Sequence, residues 1–357
     1  MSTSKHKCES ASEVHYYINL QNSKTNKMKF NSLILVVAVL STFLVSCSSD
    51  EDVIGNWVTK AYFDGYARAE GSSFAIDNYG YWGMGKDDDN YLKDFWKFDP
   101  TQGERGAWTQ VASFPGTPRA YNVSVSNGTK GYVGLGYDGD DDLSDFWEYD
   151  PQANSWAEID TFAGGVRRYA TSFAIGSDIY VGTGTKDNDK IFTNDFYKYD
   201  GSQWTAINSL PGEKRRKANA VSMDGKGYVL GGLHNSTLND FWVYDPGTNS
   251  WDNFDLVDDD DTGNSGVARY NAATFATNGK IYLATGNQSS TTLTSVFEWN
   301  PSTLIWTEKT SLEASNREGC GYFVLNDYCY IVGGRSGSSY KDDCYMFQPD
   351  ADKVSND

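Results

Sequence analysis

Four residues recur in six copies along this chain at spacings that leave little choice of architecture. A tryptophan is followed eleven residues later by an arginine at Trp57/Arg68, Trp108/Arg119, Trp156/Arg167, Trp204/Arg215 and Trp306/Arg317. At Trp251/Arg269 the interval is 18, and the insertion "DDDDTGN" accounts for the excess. Thirteen residues past each arginine stands a tyrosine: Tyr81, Tyr132, Tyr180, Tyr228, Tyr282 and Tyr330. Four residues beyond each tyrosine stands a glycine: Gly85, Gly136, Gly184, Gly232, Gly286 and Gly334. A loop then leads to an aromatic phrase, successively "DFWKFDP", "DFWEYDP", "DFYKYDG", "DFWVYDP", "SVFEWNP" and "DCYMFQP". A period of about 50 residues with a fixed internal register marks one supersecondary unit repeated along the chain.

Each unit reads as four strands. The first follows the arginine and is small and apolar, as in "YNAATFA" after Arg269. A turn such as "TNGK" or "MDGK" supplies the positive φ of a tight hairpin and leads into the second, "IYLATG" or "GYVLGG". The third is the aromatic phrase, ended by a proline that cannot donate to the ladder. The fourth begins at the tryptophan. The sixth unit stops after "MFQPDADKVSND" without its tryptophan strand, whereas "GNWVTKAYFDGYAR" near the start has that strand and nothing before it. The expectation is an all-β, six-bladed β-propeller over residues 56–350, its last blade closed by the N-terminal strand, with a tail at 351–357. Joining first to last removes the open edges of the ring.

Composition agrees and narrows the partners. Tyr 24, Phe 18, Trp 11 and Gly 35 favour short strands and turns over helices. The formal charge is -18, and such a surface repels nucleic acid and anionic lipid. The cysteines are Cys8, Cys47, Cys320, Cys329 and Cys344, with no CxxC pair and no His/Cys cluster. They predict no metal site and no cofactor. A disulfide within the last three and three buried thiols both remain open.

The repeat resembles the kelch repeat over about Asn56 to Pro349. The resemblance rests on the doublets Gly231/Gly232 and Gly333/Gly334, the tyrosine, the tryptophan and the arginine before strand one. "WGMG", "VGLG", "VGTG" and "LATG" depart from the doublet but keep the closing glycine. Near the start, "MKFNSLILVVAVLSTFLVSCSSDED" resembles a bacterial lipoprotein signal, with a lysine flank, an apolar core of 14 residues from Ser32 to Val45, and "LVSC" ending at Cys47. That resemblance implies a signal peptide at 28–46, a lipid on Cys47, an acidic linker at 47–55, and an outer-membrane or surface location in the cell envelope. It makes Met28 the expected start and residues 1–27 an upstream segment.

Strand direction puts Arg68, Arg119, Arg167, Arg215, Arg269 and Arg317 at the start of the innermost strands, where they are expected to ring the channel mouth. In kelch domains that capture acidic peptides such arginines make the contacts, because a guanidinium takes a carboxylate in a two-point fork. The six are therefore the expected ligand-binding residues, with bonding between blades as the alternative role. Arg168 and Arg216 add charge beside two of them. On the same face lie the acidic loops "KDDDN", "YDGDDDLSD", "KDNDK" and "VDDDDTGN". Asp138, Asp140 and Asp142 have the alternate spacing of calcium ligands but lack the glycine and distal glutamate of an EF-hand.

The resemblance implies two function classes. One is a monomeric, non-catalytic platform for an envelope protein, peptide or glycan, with no nucleic-acid partner. The other is a mutarotase of the sialic acid type, opening and closing a sugar ring by acid/base catalysis without metal. Glu70, Glu213 and Glu318 are its candidate carboxylates, and the spacing selects none of them. The copper oxidase chemistry known in kelch propellers needs two histidines, and His234 is the one histidine beyond the predicted cleavage site.

Overall fold

The apolar segment after each arginine becomes the innermost strand of a blade, and the aromatic phrase becomes the third. The computed structural model describes residues 53–255 and 266–354. The expected upstream segment 1–27 with Cys8, the expected signal peptide 28–46, Cys47 with most of the expected acidic linker, and the loop Val257 to Asn264 lie outside the described residues. Blade 1 comprises Ser72–Ile76, Tyr79–Gly83, Phe95–Asp99 and Ala107–Val111, each strand antiparallel to the next. Blades 2 to 5 repeat this order, from Val123–Ser126 to Ile305–Lys309. The expected six-bladed, all-β propeller is the observed one.

Blade 6 is completed from the other end of the chain. Asn56–Thr59 pairs antiparallel with Cys344–Gln348, outside Tyr328–Val332 and Gly321–Leu325. Trp57 lies opposite Phe347, with ring centroids 4.7 Å apart. The Trp57 indole donates to the Thr310 carbonyl of blade 5 at 3.0 Å. Other strand-four tryptophans reach back in the same way: Trp108 to Ala61, Trp156 to Ala112, Trp204 to Asp160 and Trp251 to Asn208. The recurring tryptophan therefore laces the outer strands of successive blades together.

Apolar packing lies between blades. Phe63, Trp82, Phe98, Trp108, Phe323, Tyr330 and Met346 form one cluster at the junction of blades 6 and 1. Phe74 of blade 1 lies against Gly131 of blade 2, where an added Cβ would sit 2.2 Å from the ring. That glycine is required by the closeness of the two sheets. Cys320, Cys329 and Cys344 are free thiols buried in these layers, which settles the alternatives in favour of thiols.

Closure makes a graded prediction. Trp57 is 2% exposed and holds the ring shut, whereas Trp204 in the equivalent position of blade 3 is only half-buried. Trp57→Ala should cost about 3–5 kcal/mol of unfolding free energy, and Trp204→Ala distinctly less. Urea denaturation followed by tryptophan fluorescence measures both. Equal losses would show that closure through Trp57 has no special weight.

Candidate functional site

The six repeat arginines do not face the channel. Arg68, Arg119, Arg167, Arg215, Arg269 and Arg317 are each at most 1% exposed, which corrects the expectation that they ring the mouth as ligand contacts. Each guanidinium turns into its own blade. Arg68 grips Asp94 with two bonds, Nη1 to Oδ1 at 2.6 Å and Nη2 to Oδ2 at 2.7 Å. Its Nη1 also donates to the Met84 carbonyl, and its Nε to the Tyr66 carbonyl. Arg119, Arg167, Arg215 and Arg317 pair likewise with Asp145, Asp195, Asp240 and Asp343. Trp96, Trp147 and Trp242 donate to the same aspartates. Phe63, Phe114 and Phe162 lie under the cations of Arg68, Arg119 and Arg167. The repeated phrase "DFW" is thus the receptor of a buried arginine.

The arginine main chain reaches the preceding blade. Gly85, Gly136, Gly184, Gly232, Gly286 and Gly334 each donate an N–H to the carbonyl of the next blade's arginine, at 2.8–3.1 Å. Each of these glycines has a positive φ, and so does the residue before it, including Met84, Leu135, Thr183 and Thr285. That preceding residue supplies the carbonyl taken by the arginine Nη1. A left-handed non-glycine residue is strained, and here the charged hydrogen bond offsets the strain. Blade 5 departs from the pattern: Ser295 stands where the others have aspartate. Among the described residues Arg269 bonds carbonyls and the Ser295 hydroxyl, and burial pulls its pKa below the ordinary guanidinium value.

Two residues past each arginine the backbone turns left-handed. Glu70, Tyr121, Tyr169, Lys217, Asn271 and Gly319 have φ of 54–62°. The N–H of each donates to the carbonyl of its counterpart on the preceding blade, at 2.7–3.4 Å, in a closed circle of six bonds. These six residues border the entrance of a central cavity of about 400 Å³. Deeper in, Ser124 and Tyr322 donate backbone and hydroxyl bonds to Ser73, and Ser172 bonds the Ser124 carbonyl.

The mouth gathers two carboxylates around one amide and one ammonium. Asn271 Nδ2 donates to Glu70 Oε1 at 2.9 Å and to Glu318 Oε2 at 3.0 Å. Lys217 Nζ lies 3.5 Å from the same two oxygens. Arg335 and Asn287 also donate to Glu318. Burial opposes the charge of Glu318, but Lys217 and Arg335 outweigh it and hold its pKa below the usual carboxylate range. Burial likewise opposes the charge on Lys217, and Glu70 with Glu318 raises its pKa in spite of it. Among the described residues Glu70 bonds Asn271 and Lys217 through Oε1 and no arginine, while its Oε2 has no hydrogen-bond partner and stays open to solvent, the side chain as a whole being 6% exposed. The opposite wall is Tyr121 and Tyr169, ring centroids 4.5 Å apart. Burial, and then each site's charged and phenolic neighbours, push both phenols upward, so both remain protonated donors.

Of the residues singled out in the sequence, Glu70 and Glu318 come together here, whereas Glu213 lies outside, bonded to His234 at 2.9 Å. Arg168 and Arg216 flank the mouth, held by Asp142 and Asp189. Asp142 therefore serves Arg168, and Asp138 accepts N–H bonds from Asp140 and Asp141 within its own turn. Lys217, Asn271, Tyr121, Tyr169, Asn287 and Arg335 were not anticipated. Reading the column two places past each arginine, rather than the arginine itself, would have found the first four.

A family model described as the KLHDC2/KLHL20/DRC7 Kelch-repeats domain matches residues 170–356. Among solved structures, the one described as "Structure of YjhT" is similar in fold, with a TM-score of 0.68 and 18% sequence identity, over 80% of this chain and 95% of that one. The search of curated proteins gave no match.

The buried pairs set a pH dependence and a mutational contrast. Burial disfavours ionisation of Asp94, Asp145 and Asp195, yet the bonds and charge of Arg68, Arg119 and Arg167 lower all three pKa values. A carboxyl depressed in the folded state contributes stability that is present above its unfolded pKa of about 3.9 and is lost as pH falls through the folded value. Urea midpoints should therefore hold near pH 5–7 and drop steeply below pH 4. Asp145→Asn should cost ~3 kcal/mol by leaving Arg119 without its counter-charge. Ser295→Asp should add about 1–2 kcal/mol by giving Arg269 one. A destabilising Ser295→Asp would contradict the assigned role of the pair.

Proposed function

Because the chain belongs to the kelch-repeat family, we propose that its propeller is a non-catalytic recognition module that takes a sugar, or the end of a glycan, into the channel mouth. The supporting observation is Oε2 of Glu70, a carboxylate oxygen without a hydrogen-bond partner among the described residues and open to solvent, in a side chain only 6% exposed beside a cavity of ligand size. A carboxylate and an amide side by side accept from and donate to neighbouring hydroxyls, the arrangement a polyhydroxylated ring requires. The Tyr121/Tyr169 wall offers an aromatic face for the ring's C–H side, with hydroxyls at its edge. Lys217 and Arg335 are paired to Glu70 and Glu318, so the mouth has little net charge to attract an ion. The chain's -18 overall disfavours a strongly acidic partner. On this reading the propeller is a monomer at the cell envelope, tethered through a lipid on Cys47, and its glycan is free or carried by an envelope protein.

One observation favours a second reading, a carbohydrate mutarotase. Glu70 and Glu318 share Lys217 and Asn271 but not every partner: Glu318 also takes hydrogen bonds from Arg335 and Asn287, while Glu70 bonds no arginine among the described residues. Carboxylates kept in unlike surroundings are the usual basis for dividing acid and base roles. Glu70 would then exchange a proton with the anomeric hydroxyl.

A thermal-shift screen with neutral, amino and acidic sugars tests the first reading, since a ligand bound only by the folded chain raises its apparent stability. At least one sugar should do so. Glu70→Gln and Tyr169→Ala should each weaken it about tenfold or more by calorimetry, ~1.4 kcal/mol. No stabilising sugar, or variants that bind as tightly as the parent, would refute the assignment. Anomer exchange measured by NMR separates the readings: acceleration that Glu70→Gln abolishes establishes catalysis, and binding without exchange establishes recognition.

A further inference from the structure

The tyrosines of the mouth continue outward. Arg168, next in sequence to Tyr169, lies over the Tyr137 ring with its guanidinium carbon 4.2 Å from the centroid. Tyr137 meets Tyr91 edge-on, centroids 6.0 Å apart. Tyr91 in turn is close enough to Tyr121 and Tyr340 for their phenols to affect one another's ionisation. The path therefore runs from the inner pair Tyr121/Tyr169 across the rim of blades 2 and 1 towards blade 6. Tyr91, Tyr137 and Tyr340 are half-buried, with neither the exposure of loop tips nor the closure of core residues.

The outer rings are also held. Tyr137 Oη donates to the Gly139 carbonyl at 2.5 Å. Gly139, at φ 113°, brings its backbone so near Tyr91 that an added Cβ would lie 3.1 Å from the ring. Lys86 Nζ stands 5.8 Å from the Tyr91 centroid. Rings fixed in advance lose little side-chain freedom when a ligand covers them. The charges along the path are matched: Arg168 by Asp142 and Asp189, and Arg216 by Asp189. The flanking turns at Asp87 and Asp138 are acidic, with each Asp bonded to its own turn. A ligand lying here meets half-buried tyrosine rings, internally paired ions and an acidic border. That combination suits an uncharged chain with apolar ring faces and rejects sulfated or uronic chains.

Building on the sugar reading of the mouth, we propose that the ligand is a neutral oligosaccharide of at least three units, its terminal unit seated between Glu70 and Tyr169 and its following units lying on Tyr137 and Tyr91. Calorimetry with neutral gluco-, xylo- and manno-oligosaccharides of one to four units tests it. For the series that binds, affinity should rise about tenfold or more from one unit to three. Tyr91→Ala and Tyr137→Ala should each erase most of that gain and leave single-sugar binding unchanged. Tyr91→Phe, which keeps the ring, should bind as the parent does and controls for folding. Glu70→Gln should weaken every length alike. Affinity independent of length, or alanine variants that keep the gain, would overturn the chain-length proposal while leaving the mouth as a single-sugar site. Failure of every sugar at every length would overturn both.

Discussion

A buried arginine joins every pair of neighbouring blades, its carbonyl bonded to one blade and its guanidinium to the other, and the rest of the molecule is arranged around it. The arginine carbonyl accepts from the glycine that ends strand two of the preceding blade, while its side chain grips the head of strand three in its own. One residue thus fixes a blade both to its neighbour and to itself. Lysine could not do the same, because the two-point grip on aspartate needs a planar fork and the remaining donors must reach carbonyls in other directions. Burying such a charge is costly unless it is paired and its donors are satisfied. The aspartate and the left-handed residue with its carbonyl turned inward meet that cost five times over, helped by an aromatic ring against Arg68, Arg119, Arg167 and Arg317. At Arg269 the partners among the described residues are carbonyls and a serine hydroxyl.

The clamp also decides where chemistry can be placed. Once the arginine is fixed, the chain has two residues in which to leave it and enter the innermost strand. The second of these must be left-handed and must donate to its neighbour across the blade boundary. Six such residues close a circle of hydrogen bonds, and their side chains border the central cavity. The backbone of this circle is regular while its side chains are free to differ. Glu70, Lys217 and Asn271 therefore stand on a rigid frame, positioned by main-chain bonds that do not depend on what the side chains are.

This division explains what was legible in the sequence. Repetition showed the blade count, the four-strand unit and the closure through Trp57, because structural demands are the same in every copy. The same logic misdirected the search for a site. Arg68 and its five counterparts drew attention by recurring, and recurrence was the sign of a clamp. The mouth is built from the column that does not recur, Glu-Tyr-Tyr-Lys-Asn-Gly in blade order, which looks like noise beside an invariant neighbour. Arg335 and Asn287 were harder still. They reach Glu318 from loops after strand two, and neither spacing nor composition tells which way a loop side chain turns. Asp94 and its counterparts were in plain view in "DFW", but their partner lies 26 residues upstream at Arg68, a distance that only the fold makes short.

Pairing within the mouth has a consequence for selectivity. An unpaired cluster of cations or carboxylates would draw any ion of opposite sign, and the chain's net charge would bias that choice at long range. Here Lys217 and Arg335 are answered by Glu70 and Glu318, and Arg168 and Arg216 by Asp142 and Asp189. Long-range attraction largely cancels, so discrimination falls to the directions of individual donors and acceptors and to the shape of the tyrosine wall. Hydrogen bonds left unmade once a site is covered are expensive, and Glu70 Oε2 is an acceptor that has no partner among the described residues and faces solvent. A ligand that donates to it replaces the water it covers, while one that covers it without donating leaves that oxygen stranded. The open oxygen thereby rewards a correctly placed hydroxyl and penalises its absence, at a position that the ring of six backbone bonds holds still.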